Sequence, residues 1–217
     1  MHILILGASG GCGRWMCRLA AERGHHVRAL VRPATSFDPP PGVEVVRGEV
    51  LQDGVLAEAV GGCTAILSGL GLRRTAPWNP WSALASPPDL NARVATQLVQ
   101  ALSSAEGRRV VVISAAGVRE SWAQVHPLLQ WMIRYSQIGV AYQDLGRLEE
   151  ALAASELDWM AVRPTTLTPG PPTGRGRIVG RYGVLSRIRR ADVAAYMLDA
   201  LEQSGPFPSR TPLLAGA

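Results

Sequence analysis

Three glycines spaced two residues apart, Gly7, Gly10 and Gly13, stand in the segment Gly7-Ala8-Ser9-Gly10-Gly11-Cys12-Gly13, directly after the apolar run His2-Ile3-Leu4-Ile5-Leu6. In a strand-to-helix reversal of this kind, one glycine permits the turn, one lets the backbone approach a pyrophosphate, and one allows close helix-strand packing. The helix that follows directs its free N–H groups at the anion. The chemistry to expect is dinucleotide binding. A second apolar strand, residues 26–31, follows at the distance a βαβ unit requires, and its end selects the dinucleotide. A carboxylate there would accept from the ribose 2′-hydroxyl of NAD, whereas Val31 is followed by Arg32, a cation suited to a 2′-phosphate. NADP(H) is therefore the expected cofactor, with Arg14 able to reach the same phosphate from the first turn of the helix. The other reading of Arg32, a solvated loop residue, stays open.

Further candidates stand at later strand ends. Ser114 closes the β-branched run Arg109-Val-Val-Val-Ile113 and reads either as a hydrogen-bond donor to a substrate oxygen or as a contact to the cofactor ribose. Tyr142 is a candidate acid, although a helix tyrosine without a cationic neighbour also serves simply as packing. Thr165 and Thr166, after Pro164, can orient a carboxamide or a substrate. His126 reads as a surface residue, and Asp192 as a carboxylate suited to a helix N-terminus. Trp78, Trp81 and Trp122 read equally as stacking partners for a planar substrate or as loop anchors.

The elements that must position these residues alternate along the chain. Strands are expected at 2–6, 26–31, 43–46, 65–68, 109–113 and 158–162, with room for short strands in the Gly-, Pro- and Arg-rich stretch 168–188, and helices at 14–23, 53–60, 89–103, 127–135, 140–155 and 191–203, with a break near Gly139. Ser86 with Pro87 and Pro88 reads as the start of the third helix. The pattern predicts one α/β domain over residues 1–217, a Rossmann-type, doubly wound, mostly parallel sheet. In such a sheet ligands lie outside the carboxyl ends of the strands, at the switch point between the first and fourth. Residues 7–13, Arg32, Glu49-Val50, Leu70-Gly71, Ser114-Ala115 and Pro164-Thr165-Thr166 fall there. Glu49-Val50 belongs near the adenine and the later members near the nicotinamide. Loops at about 72–88, 117–126 and 167–188 are left to wall a substrate pocket.

Composition narrows the function. All 22 basic residues are arginine and the net charge is only +5, with no basic stripe interleaved with aromatics, so nucleic-acid binding is not expected. Seven arginines between Arg163 and Arg190 would either favour an anionic ligand or solvate a surface. No apolar run approaches the roughly 20 residues that span a bilayer, and the chain enters a strand at once; the expectation is a cytoplasmic protein without a membrane partner. Cys12, Cys17 and Cys63 form no metal-ligand pattern, so no metal is expected and the thiols read as packing residues.

The combination GASGGCG, VRPATS, GEVLQ, ILSGLG, VVVISAAGV and LDWMAVRP resembles the atypical short-chain dehydrogenase/reductases with NmrA-like NAD(P)-binding folds, over nearly the whole chain. TPGPPTGRGRI and SRIRRADVAAYMLDAL are similar to the biliverdin-IXβ reductase, or flavin reductase, branch. The resemblance implies an NADPH-dependent reductase of planar heterocycles, with Gly7, Ser9, Gly10, Cys12, Arg32, Arg73 and Ser114 at cofactor-contacting positions. Two departures stand out. The Tyr-x-x-x-Lys pair of ordinary members is impossible without lysine, for Gly146 lies four residues after Tyr142 and Arg147 is the nearest cation. The serine and histidine that the biliverdin-reductase pattern places near the nicotinamide are matched by Ala115 and Thr166. The expected function is hydride transfer from NADPH to a flavin-like, quinone-like or other conjugated small molecule, planar and, if the late arginines face it, anionic. The alternatives are a non-catalytic NmrA-like NADP(H) sensor and an isomerase or dehydratase of the same fold. The oligomeric state is left open.

Overall fold

The structure is a computed structural model that describes residues 1–102 and 108–216. It contains β1 (His2–Leu6), α1 (Gly11–Glu22), β2 (His26–Val31), β3 (Val43–Arg47), α2 (Val55–Ala59), β4 (Ala65–Ser68) and α3 (Leu90–Leu102). There follow β5 (Arg109–Ile113), a 3₁₀ turn (Arg119–Gln124), α4 (Pro127–Arg134), α5 (Gln137–Ala153) and β6 (Asp158–Pro164). Short strands β7 (Thr166–Thr168), β8 (Gly176–Ile178) and β9 (Arg187–Arg189) precede α6 (Arg190–Glu202) and β10 (Leu213–Gly216).

Eight strands make one sheet in the order β3-β2-β1-β4-β5-β6-β10-β8, parallel except for β8, which runs antiparallel to β10. β1 lies between β2 and β4, so the chain reverses its winding there and opens a crevice at their carboxyl ends. The residues of β1 show how a wholly apolar strand still has two faces. Ile3 and Ile5 enter one core with Met16 of α1 and Met197 and Leu198 of α6, while Leu4 and Leu6 enter the other with Leu98 of α3 and Leu152 of α5. All four are at most 1% exposed, and each such side chain contributes about 1.5–3 kcal/mol by burial.

Several boundaries differ from expectation for identifiable reasons. α1 begins at Gly11 and not residue 14, because Gly10 itself serves as N-cap. α2 is confined to five residues by Gly54, which precedes it in the left-handed region at φ 79°. The interruption expected near Gly139 falls at Tyr135 and Ser136, where the Ser136 hydroxyl accepts from Ile138 N. Gly139 sits inside the first turn of α5, its missing side chain making room for the Ile133 carbonyl. The start of α3 is capped from a distance: Asp144 of α5 accepts from Asn91 N at 3.0 Å, Asn91 Nδ2 at 2.8 Å and Ala92 N at 2.9 Å. Ser86, expected in that role, accepts from Arg73 N instead. The expected end of this helix, Ser103, lies outside the described residues. β10 extends the sheet beyond the strands that the sequence pattern predicts, and its antiparallel neighbour β8 is one of the short strands expected within 168–188.

Candidate active site

β1 ends and the chain turns so tightly that only glycine fits at two positions. A Cβ on Gly7, which has φ 72°, would lie 2.9 Å from the carbonyl carbon and oxygen of Gly69, and one on Gly13 would lie 2.1 Å from Gly7 O. Gly10 N donates to Gly7 O at 2.9 Å and closes the turn. With no side-chain cap on α1, its first-turn N–H groups are left for a ligand. This turn floors a cavity of about 370 Å³. Gly7, Ser9, Gly10, Arg32, Glu49, Val50, Leu70, Gly71 and Arg73 all line it, which brings together nine of the residues singled out in the sequence. Gly11, Cys12 and Gly13 lie behind this lining in α1. Arg14 is not part of this lining: its Nε donates to Ser9 O at 3.1 Å and its guanidinium lies over Phe37, in the loop that follows Arg32.

A second cavity of about 170 Å³ opens at the carboxyl ends of β5 and β6. Ser114, Ala115, Tyr142, Pro164, Thr165 and Thr166 line it, opposite Tyr182 and Val184 from the loop between β8 and β9. Both cavities thus lie where a parallel sheet binds ligands. The Ser114 hydroxyl donates to Glu149 Oε1 at 2.6 Å. Glu149 accepts from Arg163 Nε at 3.0 Å and from Nη2, and the same guanidinium holds Glu120 with Nη1 and Nη2. The Arg163 and Glu149 side chains are 3% and 2% exposed. Burial alone would lower the pKa of Arg163, but its hydrogen bonds to the two carboxylates outweigh that and raise it. The Arg163 hydrogen bond holds Glu120 below the usual carboxylate range despite some desolvation.

These contacts commit the protons of both candidate donors within the fold. Ser114 has one proton and gives it to Glu149, so it has none for an acceptor. The Tyr142 hydroxyl donates to Ala116 O at 3.0 Å, and burial, reinforced by the nearby Tyr182, pushes its pKa up to about 12. A phenol so placed is neither ionised nor assisted by a cation. The tryptophans line neither cavity. Trp81 Nε1 donates to Tyr135 O at 2.8 Å, anchoring the loop over residues 72–88 to the α4–α5 junction, and Trp122 packs edge-on against Tyr142. Trp78 is 86% exposed. Asp192 stands in the first turn of α6, as expected, and accepts from Thr173 N, Thr173 Oγ1 and Gly174 N, fixing the segment that leads into β8. His126 caps α4, its Nδ1 accepting from Leu128 N.

The family description NAD(P)H-binding matches residues 7–204 of the chain. The chain belongs to the NAD(P)H-binding family. Among solved structures, this NAD(P)H-binding protein is similar to ChuY, an anaerobilin reductase from Escherichia coli O157:H7, at 22% identity and a TM-score of 0.77 over 99% of this chain and 96% of that one. It is also similar to a wide-type short-chain dehydrogenase/reductase from Veillonella parvula in complex with NADP, at 20% identity and a TM-score of 0.76 over 98% and 93% of the two chains. At these identities the likeness is one of fold. A curated Arabidopsis thaliana relative, "Probable pinoresinol-lariciresinol reductase 3", is 34% identical over 74 residues, which is 32% of this chain and 24% of that relative's length.

The residues fit the cofactor that the family binds. A turn closed so tightly that no Cβ is tolerated, an uncapped helix N-terminus and a groove running past Arg32 are what a dinucleotide needs. Sequence reasoning missed several supporting residues of this NAD(P)H-binding site. Arg47 donates from Nη1 to the carbonyls of Pro33 at 3.2 Å and Thr35 at 3.0 Å, holding the loop that carries Arg32. Leu90 closes the far wall of the larger cavity beside Ser86 and Pro87, which belong to the loop 72–88 already expected to wall a pocket. Glu149 and Tyr182 govern the smaller one. No local pattern marks these four groups, because each acts across a tertiary contact.

Proposed function

We propose that this protein is an NADPH-dependent reductase that transfers hydride to a flavin-like, quinone-like or other conjugated small molecule. The observation that carries this reading is the pair of cavities along one sheet edge. The larger is ringed by the glycine turn and Arg32, and the smaller is mainly apolar, at the ends of β5 and β6. A dinucleotide with its pyrophosphate on the α1 N-terminus and its 2′-phosphate at Arg32 would extend toward the smaller cavity. The preference for NADP(H) over NAD(H) rests on Arg32, which lines the larger cavity directly after β2, where an NAD-selective site needs a carboxylate. Once bound, the cofactor supplies the hydride, and the chain's task is to hold nicotinamide and acceptor in contact and keep water out. Reduction of an acceptor such as a quinone or flavin can draw its proton from solvent, which suits a site whose Ser114 and Tyr142 protons are already committed. A cytoplasmic setting belongs to the proposal and is supported by three free, buried cysteines.

A non-catalytic NADP(H) sensor is the second reading. The same committed protons favour it, since Ser114 and Tyr142 have none to give to a ligand in the second cavity. NADPH oxidation measured against flavins, quinones and simple carbonyls separates the two. We expect acceptor-dependent oxidation with flavins or quinones and little with carbonyls, which need a protein acid. Tight NADPH binding with no turnover on any acceptor would overturn the reductase reading.

A further inference from the structure

The smaller cavity holds two hydroxyl groups that the fold does not satisfy. Thr165 is 6% exposed and its Oγ1 has no partner, and the buried Tyr182 hydroxyl has none either. Tyr182 reaches back over the end of β5: its hydroxyl oxygen and Tyr142 Cε1 lie 3.3 Å and 3.2 Å from where a Cβ on Gly117 would stand. Gly117 has φ 99°, and a Cβ there would lie only 2.5 Å from Val125 Cγ2. A buried polar atom without a partner is unfavourable unless a ligand completes it. Of the other polar side chains in the lining, Ser114 donates to Glu149, Tyr142 donates to Ala116 O and Ser186 accepts from Gly183 N, while Thr166 is exposed to solvent.

Charge is the second observation. The lining of this cavity contains no arginine, histidine or carboxylate, although the chain between Arg163 and Arg190 carries seven arginines. Arg163 is locked between Glu149 and Glu120, Arg189 donates to Pro171 O, and the Arg190 side chain lies against Gly11. A charged ring entering here would lose water and gain no counter-charge. Val125, Leu129, Ile133 and Leu167 give it apolar walls instead.

We propose that Tyr182 donates a hydrogen bond to a carbonyl or imine heteroatom of the hydride acceptor in this cavity, and that the ring seated there is uncharged. Thr165 supplies a second hydroxyl beside it. Any carboxylate, sulfonate or phosphate on the acceptor remains outside. The inference rests on the reductase reading for the word acceptor, but it concerns binding and is tested without turnover.

The test uses the full chain saturated with NADP⁺ and measures equilibrium binding of naphthoquinone and of naphthoquinone sulfonate by calorimetry, in wild type and Tyr182→Phe. We expect wild type to prefer the neutral quinone by about tenfold or more, and Tyr182→Phe to weaken that quinone by about tenfold while NADP⁺ affinity stays within about twofold. The variant should melt no lower than wild type, because the hydroxyl it removes has no partner in the fold. Equal quinone binding by both proteins, a preference for the sulfonate, no binding of the neutral quinone to wild type, or a lowered melting temperature would each overturn the proposal. Intact quinone binding with no NADPH oxidation would remove the reductase reading and leave this one standing.

Discussion

At the scale of single residues, Arg32 carries the proposed choice of NADP(H) at the glycine turn. Its position in the larger cavity, on a loop held by Arg47, makes a charge-assisted hydrogen bond to a 2′-phosphate the interaction to remove. Arg32→Ala should weaken NADPH by about tenfold to a hundredfold and NADH by less than about threefold, as read by titration of each cofactor. Equal losses would contradict the NADP(H) assignment. The glycines and Arg32 were legible in the sequence because their roles follow from neighbours within one βαβ unit. Ser114 was legible as a strand-end residue but not in its actual contact, since its partner Glu149 lies 35 residues further along the chain. The same distance effect hid Tyr182, which the chain brings to the site only by folding a Gly- and Pro-rich segment back over β5.

At the scale of elements, the helices are tied to one another more than their own termini suggest. α3 presents its first N–H groups to Asp144, a buried carboxylate on α5, and not to a residue just before it. Asp144→Ala would leave Asn91 N, Asn91 Nδ2 and Ala92 N without their acceptor and should cost about 2–3 kcal/mol, seen in urea unfolding as a lower midpoint at unchanged slope. A loss below about 0.5 kcal/mol would show that water replaces the cap. Element type was readable throughout the first half because strands 2–6 and 65–68 are apolar without interruption while the helices carry a 3.6-residue period. Boundaries were less readable where the deciding contact is tertiary, as at Gly139, which leaves room for Ile133 and does not break the helix. The loop at 72–88 is likewise more ordered than its prolines imply. Its two arms pair between Arg74 and Leu84, and Gln137 N donates to Pro80 O.

At the scale of the whole molecule, the six-stranded order around β1 was implied by simple alternation. The addition of β10 was not, because four residues at 213–216 carry too little pattern, and β8 was legible only as a short strand somewhere within 168–188, not as part of this sheet. That extension matters to function, since β10 receives Thr165 N on Leu214 O and the loop after β8 brings Tyr182 over the second cavity. Among the described residues no helix is long and apolar enough to cross a membrane. The cysteines report on the integrity of the core. Burial pushes Cys12 up to about 11 and Cys17 up to about 12, each partly offset by a nearby arginine. A thiol whose folded pKa exceeds its unfolded one contributes full stability below the unfolded value and loses it as pH rises through the folded one. Stability should therefore fall from about pH 9 upward. At neutral pH a thiol reagent should modify none of the three in the native protein and all of them in denaturant; a fast native reaction would show that a helix facing the core opens locally. The whole account is tested most directly by one single-turnover measurement, in which protein loaded with one equivalent of NADPH is mixed anaerobically with naphthoquinone and reduced nicotinamide is followed by absorbance. The account predicts rapid loss of bound NADPH well above the protein-free rate; NADPH that stays reduced on the protein at saturating quinone would contradict it.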